Sequence, residues 1–180
     1  METILGLLAL LAVGVGLTVL PRTARGANTS GPDTSVPLVP TPFTGGSSGA
    51  RGLINHNPFN IRYRRDIDWR GQVGTDGTFA VFDTDLNGIR AGMINMHTKF
   101  VRDGANTVRK LITILSPPSE NPTEAYINFV ASRVHASPDQ PLDFAANVIP
   151  ISKAIVLFEN GTNPFSDNLY HAAYTATGLR

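Results

Sequence analysis

One carboxylate stands where a helix should disfavour it. In residues 154–166, AIVLFENGTNPFS, an apolar helical run leads straight into Glu159, followed by Gly161 and an Asn163-Pro164 turn. The unpaired carbonyls at a helix C-terminus carry partial negative charge, so an exposed acid there costs about 0.3–1 kcal/mol. Leu157 and Phe158 before it and the Pro-Phe pair after it add partial desolvation. Dipole and desolvation act in the same direction, and both favour the protonated acid. A carboxyl kept neutral near neutral pH is the proton donor that a leaving glycosidic oxygen requires. The bland alternative is a solvated glutamate that tolerates its position.

The other acids compete for that role or would complement it. Glu120 follows Pro117-Pro118 and is the second choice. Glu124 has an explanation in a capping box, since Asn121-Pro122-Thr123-Glu124 places a cap, a first-turn proline and an acid at the spacing of a helix start. An inverting hydrolase needs a second carboxylate as base, and Asp76 and Asp83 are the candidates, although turn and helix-start roles suit both better. The chain has no cysteine, so thiolate zinc sites, disulfides and cysteine nucleophiles are excluded. His56, His97, His135 and His171 show no paired ligand spacing, and neither a metal nor a cofactor is expected. Fifteen Lys and Arg against fourteen Asp and Glu, with no basic block, argue against nucleic acid as a partner.

The elements that must position Glu159 lie in roughly 130 residues, the usual size of one domain. Residues 60–82 alternate in the manner of short strands, and Asp76-Gly77 is a hairpin turn between 69–73 and 78–82. Ile89, Met93, Met96 and Phe100 fall at helical spacing and predict a helix from about Asp85 to Gly104. Further helices are predicted over 107–115, over 121–134 and from about Pro150 to Glu159, with Gly161 turning the chain and a short helix over 170–177. A helical domain with a small β-hairpin is of the α+β class.

Ahead of this domain, residues 4–20 run without a charge and would span roughly 25 Å as a helix. Glu2 precedes the run while Arg22 and Arg25 follow it, which argues for a single-pass membrane anchor rather than a signal peptide, with the following chain on the cytoplasmic face. Pro, Gly, Ser and Thr dominate the next stretch, as in a tether. The expected organisation is an anchor over 1–22, a linker over 23–50 and a domain over 51–180.

Two resemblances sharpen the functional expectation. The AIVLFENGTNPFS segment resembles the acid segment of goose-type lysozymes and soluble lytic transglycosylases, with Asn160-Gly161 in place of Ser-Gly and Asn163-Pro164 as the turn. In that family the acid lies early in the domain, whereas here nearly the whole domain precedes Glu159, so the likeness implies a permuted chain or convergence. Residues 51–166 carry GLINHNPFNIRY, WRGQVGTDGTFAVFDTDLNGIRA, GANTVRKLITILSPPSENPTEAYINFVA and FENGTNPFS in order. That series resembles a family of small phage and prophage virion proteins. His56 and Phe59 depart from its Asn-Asn-Pro-Gly motif, and Phe59 disfavours a positive φ there.

The order of NPFNI, Trp-x-Gly and the paired phenylalanines is also similar to muramidases of flagellar assembly, where such a segment lines the glycan cleft. That likeness implies Asn57, Asn60, Arg62, Tyr63 and Trp69 as substrate-binding residues here. Turn capping is the competing role for both asparagines, and a half-buried core position is the competing role for the tryptophan. Arg62 and Tyr63 alternate on an extended segment, so only one should face a cleft.

Together these readings predict a lysozyme-like domain on a membrane anchor, in a phage virion protein that cleaves peptidoglycan as the virus enters its host. Glu159 would be the single acid/base of a lytic transglycosylase or muramidase. The expected location is an internal or host-derived membrane of the virion, with peptidoglycan, lipid bilayer and capsid proteins as partners. The alternative is a non-enzymatic structural protein that links such a membrane to the capsid.

Overall fold

The computed structural model describes residues 50–119 and 122–179. The expected anchor, the linker up to residue 49, and Glu120 and Asn121 lie outside the described residues.

The described chain begins with a single helical turn, α1 (Arg51–Ile54), and a loop that runs back to a two-stranded antiparallel sheet, β1 (Gln72–Thr75) and β2 (Ala80–Phe82). Asp76 closes the hairpin: one carboxylate oxygen accepts from the backbone N–H of Thr78 and Phe79, and the other from Asn55 and Arg51. Helices α2 (Asp85–Arg102), α3 (Val108–Leu115), α4 (Thr123–Arg133), α5 (Phe144–Asn160) and α6 (Asp167–Thr177) follow. Four of them start on a side-chain cap. Thr84, Thr107, Asp143 and Ser166 each accept from a backbone N–H three residues on, satisfying donors that the first turn leaves free. Helix α5 ends as expected on Gly161, which takes the left-handed conformation (φ 68°).

Two hydrophobic clusters hold these elements together. The larger joins α2, α3, α4, α5 and α6 through Ile89, Met93, Leu111, Val130, Ile155 and Tyr170, all almost completely buried. The smaller lies under the hairpin and consists of Ile61, Ala80, Phe82 and Ala91, with Trp69 packed against it. Phe59 touches both. It can do so because Gly92 of α2 has no side chain: a Cβ there would lie 2.3 Å from the Phe59 ring.

The fold expected from the sequence needs correction. The described residues form a mixed helical domain with a two-stranded sheet, and among them no helix is long and apolar enough to cross a membrane. The physical reason is visible in the two longest helices. Helix α2 carries Asp85, Arg90, Lys99 and Arg102, and the more apolar α5 spans 17 residues and buries its face against α2 and α4. For the described residues the expected lysozyme-like architecture is therefore replaced by this mixed helix-and-hairpin domain, while the expected anchor lies outside them. Two boundaries also differ. Helix α5 begins at Phe144 under the Asp143 cap, with Pro150 inside it rather than at its start. Helix α4 begins at Thr123, Glu124 pairs with Arg109, and the expected cap residue Asn121 lies outside the described residues.

Candidate active site

Glu159 is the penultimate residue of α5, in the last turn, where the helix carbonyls are unpaired. Its side chain is largely shielded from water and forms part of the lining of a cleft of about 220 Å³. One carboxyl oxygen accepts from the Asn60 amide at 2.9 Å and the other from the Tyr126 hydroxyl at 2.8 Å. Burial pushes the Glu159 carboxyl above its usual range, and the bonds from Asn60 and Tyr126 offset only part of that rise. Burial, reinforced by the neighbouring Glu159 charge, in turn raises the Tyr126 phenol well above its ordinary value, so Tyr126 stays a donor. Its ring stacks on Phe158 at 3.8 Å between centroids, which fixes the hydroxyl's direction.

The loop that brings Asn60 to this carboxyl is built from buried asparagines. Asn57 is fully buried, donates to the carbonyls of Ile61 and Ala80, and accepts from the Ile61 N–H. Asn160, next to Glu159, donates to the Pro58 carbonyl at 2.8 Å and so ties the end of α5 to the same loop. Asn60 itself sits at φ 49°, a left-handed conformation that asparagine tolerates better than most residues. His56 takes the same region at φ 48°, and Phe59 does not, in keeping with its bulk. The carbonyl of His56 approaches α2 so closely that a Cβ on Gly88 would lie 1.8 Å from it.

Of the residues expected at the site, the cleft brings together Glu159, Asn60, Arg62 and Trp69. Trp69 packs half-buried against the small cluster and also lines the cleft. Asn57 is enclosed in the loop, the capping role that competed with sugar contact. Tyr63 points away, exposed, while its neighbour Arg62 lines the wall, as alternation requires. Glu120 lies outside the described residues. Tyr126, Asn95 and Lys99 also line the cleft and were not foreseen. Tyr126 is the one of these that the sequence could have revealed, since a tyrosine on an apolar helix face needs a partner for its hydroxyl.

The remaining acids have structural roles. Burial would raise Asp76, but the N–H groups of Phe79 and Thr78 and the side chains of Asn55 and Arg51 hold it well below the usual carboxylate range. Asp83 is lowered chiefly by the Asn87 amide. Among the described residues that line the cleft, Glu159 is the sole carboxylate. The Asn163-Pro164 turn serves to seat α6, with the Asn163 side chain accepting from the buried Tyr170 hydroxyl at 3.0 Å.

No protein-family model matches the chain. Protein P5 of Pseudoalteromonas phage PM2 is 38% identical to it over 124 residues, an alignment that covers 67% of this chain and 77% of that protein. Identity at this level over most of both sequences bears out the resemblance to phage proteins read from residues 51–166, and the chain belongs to the family of PM2 protein P5.

Proposed function

We propose that this chain is a phage virion protein whose C-terminal domain cleaves the glycan strands of host peptidoglycan, with Glu159 as its acid/base. What carries the reading is the environment of that one residue: a water-shielded carboxyl with raised proton affinity, lining a cleft that also contains a tryptophan and polar side chains. Such a group donates its proton to the glycosidic oxygen as the sugar–oxygen bond breaks. It then accepts a proton from the nucleophile, either water or the C6 hydroxyl of the same sugar. Asn60 and Tyr126 orient the carboxyl and stabilise the carboxylate formed in between. Trp69 offers a face for a sugar ring. A single carboxylate in the described lining fits an intramolecular displacement, which needs no second acid.

Zymography on purified peptidoglycan with the wild type and Glu159→Gln tests this. Clearing by the wild type alone, with mass spectrometry distinguishing anhydro from reducing ends, is the expected result. Equal clearing by the variant removes Glu159 from the reaction. Clearing by neither leaves a non-enzymatic virion component.

A further inference from the structure

Helix α1 packs against α5 and buries Gly52. Three oxygens converge on the place where a side chain at Gly52 would begin. A Cβ there would lie 2.5 Å from Oδ1 of Asn160, 2.9 Å from Oδ1 of Asn60 and 3.0 Å from the Asn57 carbonyl oxygen. Two of the three are held. The Asn57 carbonyl is backbone and accepts the Asn60 N–H at 2.9 Å. The Asn160 amide is pinned through its nitrogen, which donates to the Pro58 and Val156 carbonyls. Its oxygen is buried without a hydrogen-bond donor and faces the Gly52 backbone, where a Cα–H gives at most a weak contact. A buried acceptor left unpaired is destabilising, so an arrangement that keeps one calls for a reason. Asn60 supplies it. The Asn60 amide bonds Glu159 at 2.9 Å, and its side chain makes no other hydrogen bond among the described residues. Of the groups around Gly52, the Asn60 side chain is the one free to give way.

Resting on the acid/base reading above, we propose that Gly52 and Asn160 are positioning residues for Glu159. Neither belongs to the cleft lining. Gly52, by lacking a side chain, leaves room for the Asn60 amide. Asn160 ties the loop that carries this amide to the last turn of α5. Together they seat the amide against one oxygen of the carboxyl. A methyl group at Gly52 would push the amide away, and Glu159 would keep its bond from Tyr126 alone. The backbone itself is no obstacle to that methyl group, since Gly52 lies within α1 and is not among the glycines of positive φ.

Carbon-13 NMR titration of the Glu159 side-chain carboxyl, assigned with Glu159→Gln, tests this without any substrate. The titratable groups that share the cleft are Tyr126 of α4, Lys99 of α2 and Arg62 of the loop; α1 and α6 contribute none to the described lining, so the variants leave that set unchanged. In Gly52→Ala the midpoint should rise by about one pH unit, the scale of one lost hydrogen bond to a carboxylate. Asn160→Ser releases the loop and should move the midpoint the same way. In an Asn60→Gly background, where the amide is already gone, Gly52→Ala should add nothing. Gly74→Ala, with nothing within 4 Å, is the control and should leave the midpoint in place. An unmoved midpoint in folded Gly52→Ala, or in Asn160→Ser where Gly52→Ala does not fold, overturns the positioning while leaving cleavage by Glu159 standing. Additive shifts in the double variant do the same. Where peptidoglycan is cleaved, the alkaline limb of the activity profile should follow the midpoint. The expected shifts without any cleavage defeat the acid/base reading and the catalytic purpose of the seat with it, so the two failures are told apart.

Discussion

At the scale of the residue, Glu159 has a signature that can be read without any substrate. Its carboxyl holds a proton more tightly in the folded chain than in the unfolded one. Between the usual carboxylate range and the raised folded value, the unfolded chain has released this proton and the folded chain has not. The folded state therefore binds more protons there, and stability falls as pH rises through that window. Glu159→Gln removes the slope. Its amide can still accept from Asn60 and donate to the Tyr126 oxygen. The variant should match the wild type below about pH 4, where both side chains are neutral, and melt at an equal or higher temperature at pH 7. Thermal melts across pH check this. A neutral-pH loss of more than about 2–4 °C, the shift expected per kcal/mol for a chain of this size, would give the carboxylate a structural partner. Asn60 tests the same carboxyl from the other side. Asn60→Gly keeps the left-handed backbone and deletes a bond that lowers the Glu159 pKa. The alkaline limb of the activity profile should move to higher pH, whereas an unmoved limb would make that bond incidental.

At the scale of the element, the close seam between α2 and the loop that carries Asn57 and Asn60 depends on glycines. At Gly88 a methyl group meets the His56 carbonyl oxygen, a backbone atom that cannot turn aside. Alanine would gain up to about 1 kcal/mol in helix propensity, but forcing the loop off the helix costs about 1–3 kcal/mol. Gly88→Ala is therefore expected to lower stability in chemical denaturation and to weaken glycan cleavage through the displaced loop. Gly74→Ala on β1, where nothing lies within 4 Å, should do neither. This seam explains a motif that the sequence displayed without a reason, Gly88-Ile89-Arg90-Ala91. Much else was legible directly. The hairpin around Asp76, helix α2 and the Gly161 stop follow from turn chemistry, helical period and caps, which are local. The start of α5 was not legible, because the tertiary packing of Val148 and Ile151 outweighs the break that Pro150 would otherwise impose. Nor was the contact of Tyr126 with Glu159, which joins residues 33 apart through the packing of α4 on α5. The acid itself could be picked out from its position after an apolar run, whereas the residues that tune it could not.

At the scale of the whole described domain, the cleft lies at the seam between the two hydrophobic clusters. Glu159, Tyr126 and Ile114 come from the helical side, and Trp69 and Arg62 from the side of the hairpin. Phe59 spans that seam, and the next residue is Asn60. The small cluster contains only four buried residues, so the hairpin side has little apolar burial of its own and depends on Phe59 to follow the helices. Phe59→Ala should cost on the order of 2 kcal/mol, less than the 3–5 of a fully enclosed phenylalanine, since its ring is only partly buried. The loss should also be uneven. Amide hydrogen exchange is expected to quicken at Ala80 and Phe82 far more than at Val130 and Ile155. Glycan binding should fall at temperatures where the helices remain intact, because the wall that carries Arg62 and Trp69 opens independently of the floor that holds Glu159. If exchange instead rises by the same factor in both clusters, the domain unfolds as one unit. The seam would then be a fixed groove, and the affinity of the cleft would be set by its side chains alone.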